Sequence, residues 1–67
     1  MNIKLNDQDV VLESQISLEE LFQLYNISAT KGVAVAVNEM IIPKKNWPFH
    51  PINENDKILV ITATQGG

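Results

Sequence analysis

The chain has 67 residues, 45% of them hydrophobic and 19% charged, which is enough for one domain. A domain this small buries only about 60% of the surface its unfolded chain exposes, leaving little material for the walls of an active-site cleft. The net charge is −3, all five cations are lysine, and there is neither arginine nor cysteine, which weighs against nucleic-acid binding and excludes disulfides, thiolate metal sites and a cysteine nucleophile.

Residues 1–5 alternate, with Met1, Ile3 and Leu5 on one face and Asn2 and Lys4 on the other, the period of a half-buried strand. Asn6, Asp7, Gln8 and Asp9 are turn formers, and a second strand over 10–14 completes a β-hairpin. Ser17-Leu18-Glu19-Glu20 fits a capping box, followed by the apolar stripe Leu18, Leu21, Phe22 and Tyr25. The spacing predicts a helix of about ten residues ending near Asn26. Residues 33–37 alternate valine and alanine and read as a strand with one bulky face. A turn at Asn38-Glu39 leads to a short strand, 40–42, stopped by Pro43. Residues 43–51 hold all three prolines and the single Trp47, a rigid connector with a helical turn over 44–47 and Trp47 at the edge of the core. A turn at 53–56 precedes the last strand, 57–63. The longest apolar runs, 33–37 and 58–61, fall far short of the roughly 20 residues a spanning helix needs. With no signal-length apolar stretch at the start, the expectation is a cytoplasmic protein without a membrane segment.

The order β-β-α-β-β-β predicts an α+β domain, a mixed sheet with one helix packed on one face. The β-grasp arrangement of ubiquitin-like proteins solves this problem at this size, with the first and last strands side by side and parallel in the sheet centre.

Side chains offer little catalysis. His50, the only histidine, stands between Phe49 and Pro51 and reads as a packing or surface residue. Of the serines Ser14, Ser17 and Ser28, none sits in a strand-to-helix elbow, and Ser17 is explained as a cap. Asp7 and Asp9 lack a third ligand nearby and read as a solvated turn rather than a metal site. Glu19 and Glu20 point to different sides of a helix and form no carboxylate dyad. Lys44-Lys45 reads as a solvated loop.

Two of the three glycines are the last two residues, Gly66 and Gly67. A loose tail over 64–67, carried by a domain over 1–63, extends at most about 13 Å. A terminal glycine carboxylate has no Cβ beside it and can enter a narrow active site of another protein. ATP converts such a carboxylate to an acyl-adenylate; a sulfur nucleophile then gives a thiocarboxylate, an amine an isopeptide, a thiol a thioester. A tail that merely tolerates glycine is the bland alternative.

The stretch GVAVAVNEMIIPKKNW, 32–47, resembles the thiamine-biosynthesis sulfur carrier family ThiS. The correspondence lies in the small and aliphatic strand, Val37-Asn38, Ile41-Ile42, Pro43, a basic residue at Lys44, and Trp47. Asn6-Asp7 in the first turn, the leucine-rich helix and Asp56-Lys57-Ile58 leading to Gly66-Gly67 extend it over the whole chain. Lys44 stands where the family often has arginine, Asn55 where it usually has glycine before the aspartate, and 47–51 is unusually rich in proline.

The resemblance implies a carrier, not an enzyme. It holds no cofactor; a ThiF-type adenylyltransferase uses ATP to activate Gly67, with Gln65 and Gly66 as the tail leading to it. A cysteine desulfurase relay supplies sulfur, and a ThiG-type thiazole synthase receives it. The small subunit of molybdopterin synthase shares fold and terminal chemistry, but its aromatic-Pro-Pro-Val run before Gly-Gly is replaced here by Ile61-Thr62-Ala63-Thr64-Gln65. A ubiquitin-like protein modifier is a further alternative.

The last strand is apolar on both faces, Ile58 and Val60 on one, Leu59 and Ile61 on the other. With Val33, Val35 and Val37 turned to the helix, Leu59, Ile61, Ala34 and Ala36 are expected to form an outward apolar patch beside the root of the tail, where a partner docks. Burial of the same patch between two copies is the competing expectation.

Overall fold

Asn6 and Asp7 take left-handed backbone, φ 50° and 68°, as the two central residues of a type I′ turn do. They join β1 (Asn2–Leu5) to β2 (Gln8–Val11), antiparallel, with Leu5 opposite Gln8 and Ile3 opposite Val10. The second strand thus begins directly after the turn and ends at Val11, where sequence periodicity predicted 10–14. Leu12 is nevertheless buried, and its N–H donates to the Met1 carbonyl at 2.8 Å. The computed structural model describes residues 1–28 and 32–62.

Helix α1 (Leu18–Leu24) starts at the predicted capping box. Ser17 Oγ accepts from the Glu20 N–H at 3.1 Å, and Glu20 Oε1 accepts from the Ser17 N–H at 2.9 Å. The helix has 7 residues rather than about ten. Its end is a Schellman closure. Asn26 adopts φ 56°, its N–H donates to the Gln23 carbonyl, and the Ile27 N–H donates to the Phe22 carbonyl at 2.8 Å. That reversal leaves Tyr25 42% exposed, outside the stripe of buried Leu18, Leu21 and Phe22.

A second pair of left-handed residues, Asn38 (φ 52°) and Glu39 (φ 73°), joins β3 (Val33–Val37) to β4 (Met40–Ile41). Pro43 then caps a 3₁₀ helix over Lys44–Phe49, longer than the single turn predicted. Trp47 is 3% exposed and belongs to the core rather than its edge. Its ring centroid lies 4.7 Å from that of Phe22, and its indole N–H donates to the Ile42 carbonyl at 2.9 Å. The chain returns beside the start of α1, with the Leu18 N–H on the His50 carbonyl and the Ile52 N–H on the Ile16 carbonyl.

The last strand, β5 (Lys57–Thr62), enters the middle of a five-stranded sheet of order β2-β1-β5-β3-β4. It runs parallel to β1 and antiparallel to β3, the central parallel pair expected of a β-grasp. The core comprises Ile3, Leu12, Leu18, Leu21, Phe22, Val35, Val37, Trp47, Ile52 and Ile58. Each such side chain contributes about 1.5–3 kcal/mol on burial, offsetting the conformational entropy of ordering the chain.

Candidate functional site

The β3–β5 register sorts side chains onto two faces. Val35 lies opposite Val60 and Val37 opposite Ile58, on the helix side. Ala34 lies opposite Ile61 and Ala36 opposite Leu59, on the other. Leu59 is 48% and Ile61 43% exposed, although both lie in the central strand. Ala34 is half-buried. Ala36 lies on the outer face with Leu59 but is only 7% exposed, so it does not contribute the open surface expected of it. Its cross-strand neighbours are Leu59 on one side and Ile41 on the other, and a methyl between two branched side chains of that length lies in their shadow. The open apolar row therefore consists of Leu59, Ile61 and Ile41, with Ala36 as its floor. Sequence reasoning missed Ile41. The signal was available, because a two-residue turn at Asn38-Glu39 sets Ala36 opposite Ile41.

Side-chain amides fix this row in place. β1 ends at Leu5, but Asn6 extends its hold on β5: the Asn6 N–H donates to the Ile58 carbonyl at 2.9 Å, and Asn6 Oδ1 accepts from the Val60 N–H at 2.8 Å. At the head of β5, Asn38 donates through Nδ2 to Asp56 Oδ1 at 2.9 Å and accepts at Oδ1 from the Lys57 N–H at 3.0 Å. Asp56 is buried, and its Oδ2 accepts from the Asn53 N–H at 2.8 Å. Among the described residues, no buried side-chain N or O atom lacks a hydrogen-bond partner. A cavity of about 230 Å³ opens between the two I′ turns and is lined by Asn6, Asp7, Ala36, Glu39, Lys57 and Leu59, among others.

The remaining candidates are not brought together. Asp9 pairs with Lys4 at 2.8 Å, and this hydrogen bond, reinforced by the opposite charge, raises the Lys4 ammonium above the ordinary lysine value. Among the described residues, no group of three or more His, Asp or Glu is placed to hold a metal ion. Ser17 and Glu20 serve the helix cap, and His50 is half-buried with its carbonyl committed to Leu18. No helix is long and apolar enough to cross a membrane, among the residues described. The predicted tail residues Gln65, Gly66 and Gly67 and the boundary at 63–64 lie outside the described residues. Thr62, opposite Val33, marks the point from which they continue.

Comparison with known proteins settles the lineage. A model of the ThiS family matches residues 1–67. The chain belongs to the ThiS family. It is 30% identical over 67 residues to the sulfur carrier protein ThiS of Escherichia coli (strain K12), covering 100% of both chains. It is 32% identical over 63 residues to protein ycf40 of Trieres chinensis, covering 94% of this chain and 85% of that one. The crystal structure of ThiS from Geobacter metallireducens superimposes with a TM-score of 0.86 over 100% of both chains at 16% identity. The solution structure of a thiamine biosynthesis protein from the same organism gives 0.78, covering 100% of this chain and 88% of that one at 17% identity. These two structures establish the ThiS β-grasp fold for this chain.

Proposed function

We propose that this chain is a sulfur carrier of thiamine biosynthesis and that its reactive group is the carboxylate of Gly67. The observation that carries the reading is family membership over the full length, together with the Gly66-Gly67 ending. In this scheme a ThiF-type adenylyltransferase joins the Gly67 carboxylate to AMP from ATP, releasing pyrophosphate. A persulfide carried by a cysteine desulfurase relay attacks the acyl-adenylate and displaces AMP, forming an acyl disulfide. A second thiol of the relay then reduces it, ending in a protein disulfide and releasing the Gly67 thiocarboxylate. A ThiG-type thiazole synthase takes that sulfur. The carrier is a co-substrate of its partners rather than a catalyst, binds no cofactor of its own, and works in the cytoplasm.

The adenylating partner docks on the outer sheet face through Leu59, Ile61 and Ile41, with Ala34 and Ala36 beneath. Support comes from the exposure of two large apolar side chains in a central strand, three residues and one residue before Thr62. An apolar cluster beside the root of a reactive tail is the kind of surface that marks an interaction site.

The deciding experiment is mass analysis of the C-terminal peptide from protein purified from cells. Replacement of one oxygen by sulfur on Gly67 is the expected result. A branched peptide on lysine assigns the chain to protein modification instead.

A further inference from the structure

Charge is unevenly distributed along the sequence, although Lys4 reaches across to Asp9 at 2.8 Å. Residues 5–30 contain no lysine and five of the eight carboxylates: Asp7, Asp9, Glu13, Glu19 and Glu20. All five lysines lie outside that segment. The acidic segment also carries apolar side chains that the core does not absorb. Val11, at the end of β2, is 72% exposed, and Leu24, at the end of α1, is 62% exposed.

These two residues face one groove. Val11, Ile16 and Leu24 line a cavity of about 380 Å³ with Glu13 and Ser14 at its rim. A second cavity of the same size shares Ile16 and Leu24 and adds Glu20 and Gln23. The groove thus combines the apolar side chains of Val11, Ile16 and Leu24 with two carboxylates, Glu13 and Glu20, and among the described residues no lysine lines it.

Its position separates it from the tail. Val11 pairs with Asn2, two residues before the Lys4–Lys57 pair, whereas Thr62 lies five residues beyond that pair on β5. About 23 Å of strand direction lies between them at the usual rise per residue. A protein seated in this groove leaves the Thr62 end of the sheet open.

We infer that the groove between β2, residues 12–16 and α1 is a second docking site, and that its occupant is a basic amphipathic segment of a partner protein. Apolar side chains of the segment cover Val11, Ile16 and Leu24, and its lysines or arginines meet Glu13 and Glu20. Charge complementarity selects this occupant, because an acidic or neutral segment gains nothing from the rim and an acidic one is repelled. The site is independent of the sulfur chemistry proposed for Gly67.

The test is a titration of the isotope-labelled full chain with a synthetic helical peptide, leucine at i, i+3, i+4 and i+7 and lysine elsewhere, followed by amide NMR. Saturable shifts are expected at Val11, Leu12, Ile16 and Leu24, with Leu59, Ile61 and Thr62 unmoved. Glu13→Lys and Leu24→Lys, both at exposed positions, should each weaken binding by about tenfold while keeping the dispersion of a folded chain. Four outcomes overturn the inference: shifts centred on Leu59 and Ile61, equal binding of the same peptide with glutamate for lysine, unchanged affinity in both variants, or self-association of the chain through the same residues without peptide.

Discussion

The two faces of the β3–β5 pair are built from equally apolar residues and behave in opposite ways. On the helix side, Val35, Val37 and Ile58 are between 0% and 6% exposed. On the outer side, Leu59 and Ile61 are 48% and 43% exposed in the same strand. A strand with one wet face ordinarily alternates apolar with polar residues. Here the alternation is missing in sequence yet present in burial. The inner face is covered by the core, and the outer face leaves about half of each of Leu59 and Ile61 open. Periodicity detects the strand; the departure from periodicity detects the exposed apolar row.

Neighbouring residues provide the sharpest way to break this comparison. Ile58→Asp puts an unpaired carboxylate into the core, where such a group costs several kcal/mol, a large share of the stability of a small domain. Loss of the cooperative thermal transition is expected by circular dichroism. Leu59→Asp, one residue away, should stay folded within about 1 kcal/mol and fail to bind the adenylating partner proposed above in a pull-down. If both variants unfold, the outer face belongs to the stability of the domain and the comparison collapses.

Trp47→Ala comes next. It removes the ring against Phe22 and leaves the Ile42 carbonyl without its indole donor. A loss of about 3–5 kcal/mol is expected in urea denaturation, with partner binding restored wherever the protein remains folded. Asn38→Ala is smaller. It deletes the Asp56 and Lys57 hydrogen bonds and leaves a buried carboxylate with one fewer donor, for about 1–3 kcal/mol. Because Asn38 anchors the head of β5, this variant should weaken docking on Leu59 in proportion to its loss of stability and no further.

Local signals were the legible part of the sequence. The capping box at Ser17 and Glu20, the turn at Asn6-Asp7, the stop at Pro43 and the central parallel pair all follow from short-range chemistry and element order. The length of α1 was not, because Asn26 closes the helix through backbone bonds to Gln23 and Phe22 that only a left-handed residue permits. Extra 3₁₀ residues through Pro48 and Phe49 depend on the return of residues 50–52 beside Ile16 and Leu18, a tertiary pairing. Burial of Ala36 was hidden for the same reason, since it needs Ile41 and Leu59 from two other strands. The Asn38–Asp56 latch joins residues 18 apart in sequence, and neither residue announces the other. The Gly66-Gly67 pair, on which the proposed function rests, is read from residue type alone.

The smallest effect concerns the turn that delivers Ile41 to the outer row. Glu39 holds φ 73° in a type I′ turn, a position where a Cβ costs roughly 1–2 kcal/mol in left-handed backbone. Asn38 already supplies the favoured first residue, so Glu39→Gly gives the preferred Asn-Gly pair. Glycine is freer in the unfolded chain, which returns part of the gain. The net expectation is a stabilisation of about 0.5 kcal/mol, read as a rise of a few degrees in thermal midpoint, on the order of that expected for a domain of this size. Glu39→Ala keeps the Cβ and should give no such rise. Asp7→Gly, at the matching place in the first turn, should gain less, because aspartate enters left-handed backbone more readily than glutamate. Equal gains from Gly and Ala at position 39 would place the effect in the removed charge beside Asp7 rather than in the backbone. Either way Ile41 stays opposite Ala36, so partner binding should not move; a change in binding would mean that the Glu39 carboxylate itself touches the partner.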